Sequence, residues 1–161
     1  MARARDAHVG MLTGLLFAAG MVAVTVALHA GGLAGLLSSL TAARAAPPAG
    51  LWAITWLLVR VAWTLIAIHA LEISVWALFF VWQRCLPDAE SAFYFSGVTY
   101  TTLGYGDLVL PEPWRLLGPI EALTGILMCG LSAGVFFAVV NRAFTSQWQV
   151  RHRGADSSQA E

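Results

Sequence analysis

An all-α membrane protein is the fold class that this sequence predicts, with three transmembrane helices and a short re-entrant helix and loop between the last two. The 161 residues are 58% hydrophobic and only 11% charged, whereas soluble domains carry about a quarter charged residues. Three apolar segments reach the roughly 20 residues that a helix needs to span a bilayer. A polar stretch with two glycines, TTLGYGD at 101–107, separates the second segment from the third. A loop at membrane depth is tolerated only where protein covers it or where it lines a watery path.

The first segment, residues 1–44, is predicted to form an uncleaved N-terminal transmembrane helix. Arg3, Arg5 and Asp6 precede an apolar run from 9 to about 28, and a softer run continues towards 41. A secretory signal has a similar charged start, but its apolar core is usually about 7–15 residues long. This core is nearer 20 residues. Residues 45–50, AAPPAG, follow as a helix-breaking linker.

Residues 51–145 are predicted to form one membrane module, which begins with an apolar helix at 51–82. Trp76 and Trp82 are expected at the outer membrane interface, where tryptophan is enriched. Asp88 is a good N-cap for the next helix, at 88–100, which is too short to span a membrane.

The last spanning helix is expected at 114–142. A short polar tail at 146–161 follows it and is expected to be disordered beyond Arg153. Cys85 lies near the outer surface and Cys129 lies within the last helix, so the two thiols are not expected to pair.

Ionisable residues within the apolar segments are costly and usually face protein or water. His69 and Glu72 are three residues apart and share a helix face. A structural pair is the favoured reading, with a pH-sensing or metal-binding role as the alternative, although two ligands fall short of a tetrahedral site. Glu121 is expected either to approach the back of the short helix near Val98 or to form intersubunit hydrogen bonds. His29 is expected at the membrane interface.

The TTLGYGD stretch resembles the signature sequence of potassium channels, in which backbone carbonyls replace the water shell of a K⁺ ion. The helices around it are similar to those of small prokaryotic potassium channels of the two-transmembrane-helix pore-domain (ion channel 2) family, with a helix added at the N-terminus. The resemblance covers about residues 61–142. Leu103 stands where valine is more usual, and the main-chain ligand there is unaffected.

Residues 101–107, termed the filter below, are expected to bind K⁺. Glycine enters left-handed conformations without the usual steric cost. Gly104 and Gly106 can therefore alternate with other residues in a strand whose carbonyls all point one way. The resemblance implies K⁺ ligands from the hydroxyl and carbonyl of Thr102 and from the carbonyls of Leu103, Gly104 and Tyr105, with Gly106 and Asp107 at the outer mouth. It also implies filter support from Thr101, Asp107, Tyr94 and Phe95, where Tyr94 and Phe95 brace the filter tyrosine and Phe95 does so by packing alone.

The gating candidates lie on the last helix. Small residues let helices approach closely, whereas a mid-helix glycine serves as a gating hinge in the channel family. Both readings stay open for Gly125 and Gly130. Phe136 and Phe137 lie towards the inner mouth, where an apolar ring can gate by dewetting.

The function that follows from the resemblance is passive, potassium-selective conduction by a homotetramer, because one chain supplies one quarter of a filter. The expected setting is the plasma membrane (the inner membrane if bacterial), which the chain crosses several times among lipid. We expect no enzyme activity, no nucleic-acid partner and no small-molecule substrate. We also expect no cofactor, apart from K⁺ ions in the filter. The alternatives are a poorly selective cation channel and a non-conducting regulatory or transporter subunit. If the re-entrant loop enters the membrane from the outer side, the N-terminus with Arg3 and Arg5 also lies outside. The positive-inside rule would instead favour arginines on the cytoplasmic side.

Overall fold

The computed structural model describes residues 2–42 and 50–158, with side chains described at 13–42 and 50–145. Within these ranges the chain forms long helices joined by short connections. In order they are α1 (Ala2–Ala42), α2 (Leu51–Trp82), α3 (Ala89–Tyr100) and α4 (Leu117–Ser158), with a 3₁₀ turn at Glu112–Trp114 before α4.

Three of these helices are long and apolar enough to cross a membrane. The candidate spans are Thr13–Ala42, Leu51–Trp82 and Glu112–Thr145, and the short helix α3 lies between the second and the third. The predicted fold class, an all-α membrane protein with three spanning helices and a short helix between the last two, is confirmed.

The helix ends follow from local chemistry. The side chain of Asp88 accepts a hydrogen bond of 2.7 Å from the backbone N–H of Ser91, so it caps α3 as predicted. The last helix begins at Leu117 rather than at 114, because the segment with Pro111 and Pro113 forms the 3₁₀ turn first. The predicted linker 45–50 lies outside the described residues apart from Gly50.

The predicted end of the last helix is wrong. α4 does not stop at Arg142 but continues to Ser158, so the expectation of disorder beyond Arg153 also fails as far as that residue. Extending an existing helix adds one hydrogen bond for each residue that becomes ordered. No proline, the strongest helix breaker, follows Arg142 in the sequence.

Helix α1 packs along α2 rather than standing apart from it. The indole Nε1 of Trp76 donates a 3.0 Å hydrogen bond to Thr25 Oγ1, and that hydroxyl donates to the carbonyl of Met21 at 2.9 Å. Trp76 is fully buried, whereas Trp82 is 71% exposed. The interface position expected for Trp76 is therefore wrong, because its indole N–H finds its partner on α1 instead of at the lipid headgroups.

Aromatic rings join the outer ends of the spanning helices. Phe17 of α1 lies 5.7 Å from Phe79 of α2 and 5.9 Å from Trp114 of the 3₁₀ turn, measured between ring centroids. Phe79 and Trp114 meet edge to face at 6.0 Å. Such pairs stabilise by about 0.5–1.5 kcal/mol each beyond area burial. They hold α1 against α2 and against the 3₁₀ turn that precedes α4.

Candidate functional site

Backbone hydrogen bonds connect the start of the filter to carbonyl groups in the last turn of α3. The N–H of Thr102 donates to the carbonyl of Thr99 at 2.9 Å. The carbonyl of Val98 accepts from Leu103 at 2.9 Å and from Gly104 at 3.3 Å. These bonds satisfy carbonyls that a helix end would leave unpaired. They also hold the inner end of the filter beside the negative end of the α3 dipole, a favourable place for a cation.

The filter backbone alternates in handedness. Thr102, Gly104 and Gly106 have positive φ values of 61°, 57° and 78°, whereas Leu103 and Tyr105 between them do not. Left-handed backbone is open to glycine but is a genuine outlier for a β-branched residue such as Thr102. Alternating handedness turns successive carbonyls towards one side of the strand, as K⁺ coordination requires.

Tyr94 and Asp107, two of the predicted support residues, bond to each other. The Tyr94 hydroxyl donates to Asp107 Oδ2 at 2.7 Å, and the backbone N–H of Leu108 donates to Asp107 Oδ1 at 3.1 Å. The bond from Tyr94 lowers the pKa of Asp107 below its ordinary value, and the same bond raises the pKa of Tyr94. The outer end of the filter is thereby tied to the middle of α3.

Of the other two support residues, Phe95 packs into the body of its own chain, whereas Thr101 is exposed. Phe95 is buried and lies edge to face with Phe80 of α2 at a centroid distance of 5.4 Å. The Thr101 hydroxyl donates to the carbonyl of Gly97 at 2.6 Å, within α3. Phe95 is therefore part of the core of one chain. A contact between Phe95 and the filter tyrosine stays a prediction for the assembled channel.

The filter side chains are open to the outside of the single chain. Leu103 is 59% exposed and Tyr105 is 67% exposed. A groove of about 430 Å³ runs beside the filter between α3, the outer loop and the start of α4, and Gly118 and Ala122 are among its lining residues.

Of the gating candidates, only Gly125 makes a close approach. A Cβ added there would lie 2.1 Å from the backbone oxygen of Tyr100, whereas within the described part of the chain nothing lies within 4 Å of a Cβ on Gly130. The hypothesis of close helix packing therefore fits Gly125. The contacts of a single chain do not support that hypothesis for Gly130. Phe136 is half-buried and Phe137 is 69% exposed.

Glu121 reaches the back of α3, which is the first of the two positions expected for it. Its side chain is fully buried, and Oε1 accepts a very short hydrogen bond from the Ser96 hydroxyl. The same hydroxyl lies 3.1 Å from the carbonyl of Ile73. Ser96 therefore joins α3 to both neighbouring helices, two residues before the expected position at Val98.

The predicted pair His69–Glu72 forms, with His69 Nδ1 3.2 Å from Glu72 Oε2. His29 is not at the interface as expected: it is 1% exposed, and its Nδ1 lies 2.9 Å from Glu72 Oε1. Tyr100, also missed, donates its hydroxyl proton to Glu72 Oε2 and lies 3.2 Å from His69 Nδ1. The sequence carried no signal for His29 because α1 is apolar on every side, so no one face of that helix could be selected.

Three long apolar helices, with a short helix and a loop of alternating handedness between the last two, are consistent with the pore domain of an ion channel. The protein-family model described as "Ion channel" matches residues 66–142, from the middle of α2 through the filter into α4. No curated protein and no solved structure matches the chain.

Residues 66–142 are therefore similar to an ion-channel domain, and the chain is a multi-pass membrane protein with three candidate spans among its described residues. Because the matched family consists of ion channels, the prediction that the protein is not an enzyme is confirmed. The predicted extent of the resemblance, about 61–142, agrees with the matched range, and α1 lies outside both.

Proposed function

We propose that this protein is a potassium-selective channel that conducts K⁺ passively across the plasma membrane. The observation that carries the proposal is the alternation of backbone handedness through TTLGYGD. The ligands are the hydroxyl and carbonyl of Thr102 and the carbonyls of Leu103, Gly104 and Tyr105. Dehydrating K⁺ is costly, so the oxygens must already be aligned when the ion arrives.

The working unit of the proposed channel is a homotetramer. One filter strand offers oxygens from one side only, and an ion without water needs them all around. The exposed side chains of Leu103 and Tyr105 and the groove beside the filter leave irregular backbone uncovered at membrane depth. Such backbone is tolerated only against protein or water. Neighbouring chains would cover the groove, and the central path would hold water and ions.

The test is flux and selectivity of the purified full-length protein in liposomes. We expect K⁺ efflux, a reversal potential in mixed K⁺ and Na⁺ close to that of K⁺, and four chains by native mass spectrometry. Equal permeability to Na⁺ would favour a poorly selective cation channel, in which Leu103 loosens the filter. Absence of flux from tetrameric protein would favour a regulatory or transporter subunit.

A glycine pair provides matched variants for this test. Gly104→Ala adds a Cβ where φ is 57°, which costs roughly 1–2 kcal/mol in each chain. We expect it to abolish selective flux while the protein still inserts. Gly20→Ala makes the same chemical change on α1, where no heavy atom of the described chain lies within 4 Å of the added Cβ, and flux should persist. Normal selective flux in Gly104→Ala would contradict the filter assignment.

A further inference from the structure

A cluster of polar side chains at membrane depth joins three helices. His29 comes from α1, His69 and Glu72 come from α2, and Tyr100 is the last residue of α3. The carboxylate is fully buried, and the two histidines are 1% and 18% exposed. Both imidazole Nδ1 atoms face this one carboxylate, at 2.9 Å and 3.2 Å. A carboxylate buried at such a place is costly unless hydrogen-bond donors or a positive charge face it.

We propose that His29, His69 and Glu72 bind a divalent transition-metal ion of the Zn²⁺ class, which fastens α1 to the pore. One ligand atom from each residue can be chosen so that all lie within 4.8 Å of one another. Bonds of about 2.0–2.1 Å to a tetrahedral Zn²⁺ place neighbouring ligand atoms about 3.3 Å apart. The two nitrogens lie 2.9 Å and 3.2 Å from the two different oxygens of the carboxylate, so side-chain shifts would bring three ligands to the ion and leave the fourth position to water. Imidazole nitrogen with carboxylate oxygen suits Zn²⁺ better than it suits Mg²⁺ or Ca²⁺.

The second histidine supplies the third ligand that the pair on α2 lacks. His69 alone, three residues before Glu72 on the same helix, is enough to hold a proton beside the carboxylate. His29 adds a second ring from another helix, and its buried Nε2 has no hydrogen-bond partner among the described residues. Placing this second imidazole in a buried position costs free energy that a bound ion can offset through the Nδ1 atom facing Glu72. Coordination of a metal ion uses both rings.

Tyr100 connects the proposed ion to the filter. Its hydroxyl donates to Glu72 Oε2 and so orients the carboxylate, as partners of metal ligands commonly do. Its backbone immediately precedes Thr101 and Thr102. An ion at the cluster would therefore hold α1, α2 and the inner end of the filter together. This consequence for conduction rests on the proposed function, whereas metal binding does not.

The test uses the full-length protein in detergent, stripped with a chelator and then incubated with Co²⁺ as the probe. We expect about one Co²⁺ per chain, with the visible absorption of a four-coordinate ion, displaced by Zn²⁺. His29→Gln and His69→Gln should each abolish this binding. Tyr100→Phe keeps all three ligands and should weaken binding about 10–100-fold. Cys85→Ser removes a potential ligand outside the cluster and should change nothing.

Two results would overturn the proposed metal site. The first is that wild-type protein retains neither Co²⁺ nor Zn²⁺. The second is that the His29→Gln variant retains as much metal ion as wild type does. If the histidine variants do not fold, X-ray absorption at the zinc edge of the Zn²⁺-loaded wild-type protein tests the site instead. The proposed site requires scattering from imidazole ligands, and a spectrum without it would overturn the site. Potassium flux of Zn²⁺-loaded and stripped protein is recorded separately. A protein that binds Co²⁺ at the cluster but conducts in neither state would contradict the proposed channel function and leave the metal site standing.

Discussion

The backbone oxygen of Tyr100 lies so close to Gly125 that a Cβ on that glycine would be only 2.1 Å away. The contact brings the first third of α4 against the last residue of α3, immediately before the filter in the chain. Glycine is needed here because any side chain would separate two backbones, and neither can move without shifting a helix.

Gly125→Ala is expected to destabilise the protein by about 1–3 kcal/mol per chain or more, because overpacking at a backbone contact cannot be relieved by a rotamer change. Thermal unfolding of the detergent-solubilised protein measures the effect. Gly130→Ala is the matched control: it lies one turn and a half further along α4, and nothing in the described chain lies within 4 Å of the added Cβ. Equal stability of the two variants would show that α4 does not approach Tyr100 as described.

Thr25→Val is expected to destabilise the contact between α1 and α2 by about 1–3 kcal/mol. The substitution leaves the buried Trp76 indole N–H without its acceptor, and an unpaired buried donor costs its full desolvation energy. Adding Trp76→Phe removes the donor as well, so the double variant should lose less than the sum of the two single losses. Chemical or thermal unfolding of the four proteins gives this coupling energy. Strictly additive losses would mean that the hydrogen bond contributes nothing.

The Tyr94–Asp107 bond should shift the titration of Asp107. Because the folded-state pKa is lowered, the bond adds stability that is fully present above the ordinary aspartate pKa of about 3.9 and is lost as pH falls through the lowered value. In Tyr94→Phe the Asp107 midpoint should rise towards the ordinary value. The ¹³C shift of the Asp107 carboxyl carbon against pH reports it. Tyr105→Phe removes a neighbouring hydroxyl but keeps the bond, so its midpoint should match that of wild type.

Cys85 should be a slow target for thiol reagents. Burial raises its pKa to about 11, from an ordinary value of 9.0, which lowers the reactive thiolate fraction roughly 100-fold at neutral pH. In a Cys129→Ser background, maleimide labelling at pH 7.5 should therefore be at least about 100-fold slower in folded protein than in protein unfolded in detergent. Comparable rates would place the thiol in contact with water.

Local chemistry made much of this fold predictable. Asp88 caps α3 as its residue type favours, and the two glycines of the filter adopt the backbone that only glycine enters freely. The contacts of α1 were not predictable in the same way. His29 and Glu72 are separated by 43 residues, and an apolar helix shows no periodic face that selects which residues meet a partner.

Trp76 illustrates the same limit from the other side. Tryptophan near the end of a spanning helix is enriched at the headgroups, and this preference takes no account of a neighbouring helix. Once α1 lies alongside, a hydroxyl on Thr25 offers the indole a partner inside the protein. A local preference is overridden wherever a distant segment supplies the same hydrogen bond with better packing.

The contacts of α1 also determine where this chain can be cut. A fragment that starts at Gly50 would contain the whole family-matched range, yet it would leave the Trp76 indole N–H without its acceptor on α1 and Glu72 Oε1 without His29. A polar group turned towards hydrocarbon without a partner costs several kcal/mol. The segment from α2 to α4 is therefore not expected to fold stably without α1. Grafting it into a chimera, or exchanging it with the pore of another channel, requires that α1 travel with it or that both polar groups be replaced by apolar ones.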